Sequence, residues 1–160
     1  PEETDRLIQA RRKWLTRDGQ SLDPLQVKVG DLIVAEVHLK SLGKSHVQNV
    51  AIVDSLPGGL EIENPRLRTS DQTLESAPAD HVQFLNDRVV LFATARPGET
   101  VFRYALRAVA AGSFAAPPIQ ASCMYNESIR SIHGTGQRVR ITAAAADRGP
   151  LAAKPKEVKK

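Results

Sequence analysis

Hydrophobic and polar residues alternate along most of this 160-residue chain. Between Leu32 and Leu39 the odd-numbered side chains are the more apolar set, which predicts a strand with one buried face. A longer strand is predicted over 102–109, where apolar residues share one face and Arg103 and Arg107 lie on the other. Strands at this spacing, separated by Pro-Gly and Gly-Gly turns, indicate an all-β antiparallel sandwich. The predicted core includes Ile33, Val37, Ile52, Phe92, Phe102, Tyr104 and Leu106.

Two further features refine this strand pattern. Phe84 and the segment 89–92 are predicted to form the arms of a hairpin, because Asn86 and Asp87 between them tolerate the left-handed backbone of tight turns. The segments 102–109 and 137–141 are separated by more than twenty residues, whereas connections between strands usually take about 4–6. We therefore expect a long structured loop before the last strand, of the kind that often makes contacts.

Local propensity is ambiguous in two places. The segment from Asp5 to Leu15 has apolar residues at helical spacing, although sheet pairing often overrides such a preference. The polar segment 67–76 could form a short helix that begins at Ser70 or Asp71, because both are suitable N-caps.

Charge and composition narrow the possible partners. The net charge is +4, but the last ten residues carry four lysines and one glutamate, so most of the excess lies there. The rest of the chain interleaves both signs, which argues against a nucleic-acid-binding face. We expect one domain over 1–143, followed by a disordered basic tail over 144–160, which is poor in apolar residues. The start at Pro1, without an initiator Met, indicates a segment of a longer protein.

No constellation of residues predicts an enzyme or a bound cofactor. The four histidines are scattered with no pair at metal-ligand spacing. Cys123 has no histidine close in sequence, and a lone cysteine is by default a small apolar residue. Asp54, Glu61 and Glu63 could include an acid pair, but on a turn and strand edge such residues more often hold the turn or face water.

Several stretches, spread in order over most of the chain, resemble one known family. They are 29–34 (VGDLIV), 53–65 (VDSLPGGLEIENP), 81–84 (HVQF), 86–89 (NDRV), Pro97-Gly98 and 116–126 (APPIQASCMYN). Together they resemble the C-terminal macroglobulin domain of bacterial alpha-2-macroglobulins. The resemblance implies a fibronectin/immunoglobulin-like β-sandwich, and it makes Asp5 to Leu15 the first strand, leading to the turn at Asp18-Gly19.

The resemblance also implies a function without catalysis. The domain would be an interaction module of a periplasmic protease inhibitor that is membrane-associated through its parent. Its partners would be other domains of the parent or associated periplasmic and inner-membrane proteins, and other parts of the parent would engage proteases. Thioester-bearing members use a Cys-x-Glu-Gln motif, whereas this chain has Cys123-Met124-Tyr125-Asn126, so Cys123 is not that residue.

The candidate contact residues are Met124, Tyr125, Asn126 and Arg130. In thioester-bearing bacterial members, a tyrosine after the Met of this segment packs over the thioester and keeps water away, and Tyr125 matches it by position. The other interpretation of Tyr125 is an aromatic ring packed on its own sandwich. The alternative for the whole chain is a free-standing adhesion or carbohydrate-binding sandwich, which would need an aromatic-lined groove.

Overall fold

The computed structural model describes residues 1–63 and 76–144, which form strands joined by turns and contain no helix. The strands are β1 (Thr4–Arg6), β2 (Ile8–Thr16), β3 (Leu25–Lys28), β4 (Leu32–Ser41), β5 (Val47–Ser55), β6 (Leu60–Ile62), β7 (His81–Phe84), β8 (Arg88–Ala95), β9 (Thr100–Ala108), β10 (Gly112–Ala116), β11 (Ile119–Cys123), β12 (Asn126–His133) and β13 (Gln137–Thr142). The all-β prediction is confirmed. The candidate helix at Ser70 or Asp71 and nearly all of the predicted tail lie outside the described residues.

The strands build three sheets around one core. A six-stranded sheet has the order β1-β12-β11-β5-β8-β7, and a four-stranded sheet has the order β2-β4-β9-β6. A three-stranded sheet has the order β10-β13-β3, in which β13 and β3 run parallel while the other described pairs are antiparallel. The sheets enclose a single apolar cluster, as expected for packed β layers.

Side chains on the inner faces follow the predicted period of two. In β4 the odd-numbered residues from Ile33 to Leu39 are fully buried, and in β9 Phe102, Tyr104 and Leu106 are buried opposite them. These core predictions are confirmed, as is Ile52.

The prediction for Phe92 is wrong. In β8 the inward residues are Val89, Leu91, Ala93 and Ala95, so the alternation of the strand places Phe92 on the other face. There its ring lies 5.8 Å from the ring of His81 on the neighbouring strand, measured between centroids. The β7–β8 hairpin itself is confirmed, although neither Asn86 nor Asp87 has the left-handed backbone expected of its turn.

The segment predicted to be a long loop is instead three strands, β10, β11 and β12. Among its buried apolar positions only Ile119 is large, whereas Ala116, Ala121 and Cys123 are small, so the alternation that signals a strand is weak. Pro117 and Pro118 fall in the break between β10 and β11, where no strand hydrogen bond is required of them. This weakly alternating segment is therefore not a connection. It forms β10, an edge strand of the three-stranded sheet, and the β11–β12 hairpin.

The first predicted strand is confirmed, but it is divided at Leu7. β1 pairs with β12 in the six-stranded sheet, whereas β2 pairs with β4 in the four-stranded sheet. Leu7 joins them with a φ of 65°, a left-handed conformation that is unusual for leucine. An ion pair reinforces this crossing, since the Arg11 guanidinium donates to both carboxylate oxygens of Asp5 at 3.0 and 2.5 Å. The Ser131 hydroxyl also donates to Asp5, at 2.6 Å.

Candidate contact site and relatives

The β11–β12 hairpin projects its two turn residues from one end of the sandwich. Cys123 pairs with Asn126, so Met124 and Tyr125 alone form the turn between them. Tyr125 is 82% exposed and Met124 is 48% exposed. The interpretation of Tyr125 as a ring packed on its own sandwich is therefore wrong. An exposed aromatic ring at a rigid turn has the properties of an interface anchor.

Backbone and side-chain hydrogen bonds fix this turn in place. The Met124 amide donates to the carbonyl of Asn49 at 2.9 Å, which ties the hairpin to the start of β5. Asn49 has a φ of 59° within a β-bulge, a conformation that asparagine tolerates better than most residues. The Asn126 side chain accepts from the amide of Ser128 at 3.1 Å and from its hydroxyl at 2.6 Å. The tip is thus ordered before any partner binds.

The structure separates Arg130 from the other three predicted contact residues. Met124, Tyr125 and Asn126 lie together at the turn, whereas Arg130 lies four residues along β12, about 14 Å from Asn126 at the usual rise per residue. Arg130 is exposed and lies directly opposite Arg6 of β1. A partner that covers the turn reaches Arg130 only if it also extends over the outer face of the six-stranded sheet.

Sequence reasoning missed a buried ion pair between the sheets. Asp54 on β5 is fully buried and accepts a hydrogen bond from the guanidinium of Arg12 on β2. The same guanidinium also donates to the Pro117 carbonyl at 2.9 Å. Arg12 stacks over Trp14, with 4.5 Å between the guanidinium carbon and the ring centroid. Burial raises the pKa of Asp54, against the lowering effect of the Arg12 charge. The expectation that Asp54 holds a turn or faces water was wrong.

The other acidic and histidine residues do not assemble a catalytic or metal centre in the part of the chain described. Glu63 binds Arg107 through two hydrogen bonds of 2.8 and 3.1 Å, and Glu61 is exposed. His38 contacts Glu36 at 2.6 Å through one ring nitrogen and Glu99 at 3.0 Å through the other. Because each carboxylate meets a different nitrogen, the three cannot converge on one ion, and within 1–63 and 76–144 no metal-binding group is found.

Cys123 is buried at the end of β11. Its thiol lies 3.5 Å from the carbonyl oxygen of Gln48, and the residue is only 8% exposed. This environment matches the expectation of a small apolar residue rather than a reactive one. Over the described ranges, no helix is long and apolar enough to cross a membrane.

Comparison with known proteins identifies the family of this sandwich. The family model described as the bacterial alpha-2-macroglobulin MG10 domain matches residues 8–128. The chain belongs to this family. The alpha-2-macroglobulin of Xylella fastidiosa (strain Temecula1) is 31% identical over 151 residues, and that of Pasteurella multocida is 28% identical over 134. These alignments cover 86% and 84% of this chain but only 9% and 7% of those proteins. The chain therefore spans less than a tenth of the length of these relatives.

Solved structures of macroglobulins have the same fold. Salmonella alpha-2-macroglobulin that has reacted with methylamine superposes with a TM-score of 0.78 at 26% identity, over 89% of this chain and 10% of that chain. Escherichia coli alpha-2-macroglobulin activated by porcine elastase gives 0.79 at 25% identity, over 89% and 14%. The macroglobulin-like fold predicted from the sequence is thereby confirmed, as one domain of a much larger architecture.

Proposed function

We propose that this MG10 domain is a non-catalytic docking module of a periplasmic alpha-2-macroglobulin-type protease inhibitor. The observation that carries the proposal is the exposed Tyr125 at the tip of the β11–β12 hairpin. A tyrosine loses little conformational entropy on binding, and its ring and hydroxyl can bury apolar area while finding a polar partner. Met124 beside it adds an adaptable apolar surface.

Neighbouring domains of the parent are the first candidates for the surface that covers this tip. The curated relatives extend far beyond the aligned segment, and one solved Escherichia coli relative spans the residues from domain MG7 to the C-terminus. Asn126 would contribute polar contacts at the same turn, and Arg130 would extend the contact along β12. Associated periplasmic or inner-membrane proteins are further candidates, and protease capture is assigned to other parts of the parent.

Tyr125 would have an added role if the parent carries a thioester. A ring packed over that bond would exclude water and delay its hydrolysis, which agrees with the position of Tyr125 beside Met124 at an exposed tip. In such a parent, Tyr125→Ala should speed the spontaneous loss of the thioester, measured by release of the free thiol.

Binding of this domain to the remainder of its parent, supplied as a separate polypeptide, tests the proposal. Tyr125→Ala should weaken that binding at least about fivefold, because an interface anchor contributes more than about 1 kcal/mol. Phe84→Ala is the matched control, since Phe84 is also exposed but lies beside the β7–β8 turn. That turn lies beside the end of β5, where the Leu56 amide donates to the Asp87 carbonyl, whereas the β11–β12 tip lies beside the start of β5.

Stability and binding must be measured on the same proteins. Tyr125→Ala should leave the unfolding midpoint of the isolated domain unchanged, since the removed ring makes few contacts in it. Equal binding by wild type, Tyr125→Ala and Phe84→Ala would overturn the assignment of the tip as a contact site. Loss of binding by both variants would place the anchor elsewhere.

A further inference from the structure

The outer face of the three-stranded sheet carries cations and no acids. Arg138 and Arg140 alternate with the buried Val139 and Ile141 on β13, the central strand, and point outward. Lys28 on β3 points to the same side, because Gln26 pairs with Arg140 and Lys28 with Thr142 in the parallel register. The other outward positions of this sheet are serine, alanine, glutamine and threonine. We call this outer surface of the three-stranded sheet, with Lys28, Arg138 and Arg140 on it, the basic sheet face.

The positive charge of the basic sheet face is not neutralised within the described residues. None of its three side chains forms an ion pair there, and Arg138 instead donates to the hydroxyl of Ser113 at 3.3 Å and to its carbonyl at 3.2 Å. The acids nearest to Lys28 in sequence, Asp23 and Asp31, lie outside the ends of β3. Asp31 accepts a hydrogen bond from the Lys28 backbone amide at 2.9 Å, and it forms no ion pair with the Lys28 ammonium in the described structure.

The size and composition of the basic sheet face do not suit a specific protein partner. Three strands of about five residues cover roughly 250 Å² at usual strand spacing, against about 800 Å² that each partner buries in a stable protein interface. Protein interfaces also concentrate aromatic and apolar residues at their centre, and this centre is Arg140. A small, flat face that offers only charge fits a flat anionic surface, which needs no pocket and no apolar contact.

We propose that the basic sheet face binds the anionic headgroups of a lipid bilayer through Lys28, Arg138 and Arg140. A lysine or arginine near such a surface contributes about fivefold to partitioning, so three coplanar cations contribute on the order of 100-fold. The association is weak and reversible, and it orients the domain rather than anchoring it. The proposal does not depend on the hairpin, which lies on other strands.

The test uses the whole 160-residue chain and vesicles of two compositions. Vesicles of phosphatidylcholine with about one-third phosphatidylglycerol should carry the protein into the pellet on sedimentation, whereas vesicles of pure phosphatidylcholine should leave it in the supernatant. Changing Lys28, Arg138 and Arg140 to Gln should lower the partition coefficient on the order of 100-fold. Added salt should weaken the wild type, because screening shortens the reach of its charges.

A variant with equal net charge provides the control. Arg6, Lys44 and Arg96 are exposed cations outside this sheet, and changing them to Gln removes the same charge elsewhere. This control should partition like wild type, and the basic tail is identical in every protein, so its contribution cancels. Equal loss in both variants, or retention by the basic-face variant, would overturn the proposal. Binding to duplex DNA that is tighter than to vesicles and lost in the same variant would overturn the choice of lipid.

Discussion

Two neighbouring arginines on β2 form ion pairs of opposite character. Arg12 points between the sheets and meets Asp54, with 2% and 0% of the two side chains exposed. Arg11 points the other way and meets Asp5 at the crossing between sheets, with 27% and 23% exposed. Desolvation raises the pKa of Asp54, whereas the hydrogen bonds from Arg11 and Ser131 lower the pKa of Asp5 to about 2. The arginine lowers the pKa of the carboxyl in both pairs, but at Asp54 the cost of burial outweighs that lowering, whereas at Asp5 it does not.

The largest effect is expected when the buried pair is broken from one side. Arg12→Met should lower the free energy of unfolding by about 3–5 kcal/mol, because Asp54 is left buried without its partner. The double variant Arg12→Met with Asp54→Leu should recover much of that loss, since no buried charge remains. Chemical denaturation of the four proteins of this cycle gives the coupling. Purely additive losses would contradict the assignment of the pair as one unit.

An uncharged core position shows how much of the Arg12 effect comes from charge. Leu106 on β9 is fully buried, and Leu106→Ala should cost about 2–5 kcal/mol through lost burial and the cavity left behind. Unlike Arg12→Met, this loss should not depend on whether Asp54 is present. A change below about 1 kcal/mol would place the inner face of β9 at the surface.

The partly exposed pair of Arg11 and Asp5 predicts a smaller effect that depends on pH. A carboxyl whose folded pKa lies below its unfolded value of 3.8 stabilises the fold above that pH and loses the contribution as pH falls towards about 2. Asp5→Asn should therefore cost about 1 kcal/mol near neutral pH, after allowance for solvent screening, and almost nothing at the acid end. Thermal unfolding across the acid range measures this. A constant difference between the two proteins would show that Asp5 acts through packing alone.

The most exposed of the three pairs is expected to have the smallest effect. Arg88 donates to the adjacent Asp87 at 3.0 and 2.9 Å, with 46% and 68% of the two side chains exposed. Its pairing lowers the pKa of Asp87, but exposed pairs contribute little to folding. Arg88→Gln should leave the unfolding midpoint unchanged within error, and a clear drop would break the link between burial and effect.

The strand pattern could be predicted because the alternation of side chains is a local property. β4, β9 and the β7–β8 hairpin follow from it, as do most of the predicted core residues. Phe92 is the one wrong core residue, because it was placed in the core for its hydrophobicity alone. Val89 and Leu91 are buried, so the alternation of the strand puts Phe92 on the opposite face. Asp54 was missed because its charge was taken to exclude it from the core. It lies two residues after Ile52 on the buried face of β5, and this spacing was a sufficient signal.

The candidate contact site was predicted only in part. The tip residues were found because Met and Tyr stand out in composition, and their exposure at a two-residue turn supports that choice. The hairpin that carries them was predicted as a loop because, apart from Ile119, the buried apolar side chains of β11 are small. The basic sheet face was not predicted at all. Lys28 and Arg140 are distant in sequence and share a face only through the parallel pairing of β3 with β13.

The sequence by itself determined the strands with strong side-chain alternation, the position of the β7–β8 hairpin and the family that the chain resembles. Periodicity and turn chemistry act over a few residues, so they can be read without a fold. The tertiary structure alone decided that Leu7 carries the chain between sheets, that Asp54 is buried against Arg12, and that three cations share one surface. Each of these depends on contacts between strands far apart in the chain, which only the closing of the sandwich brings together.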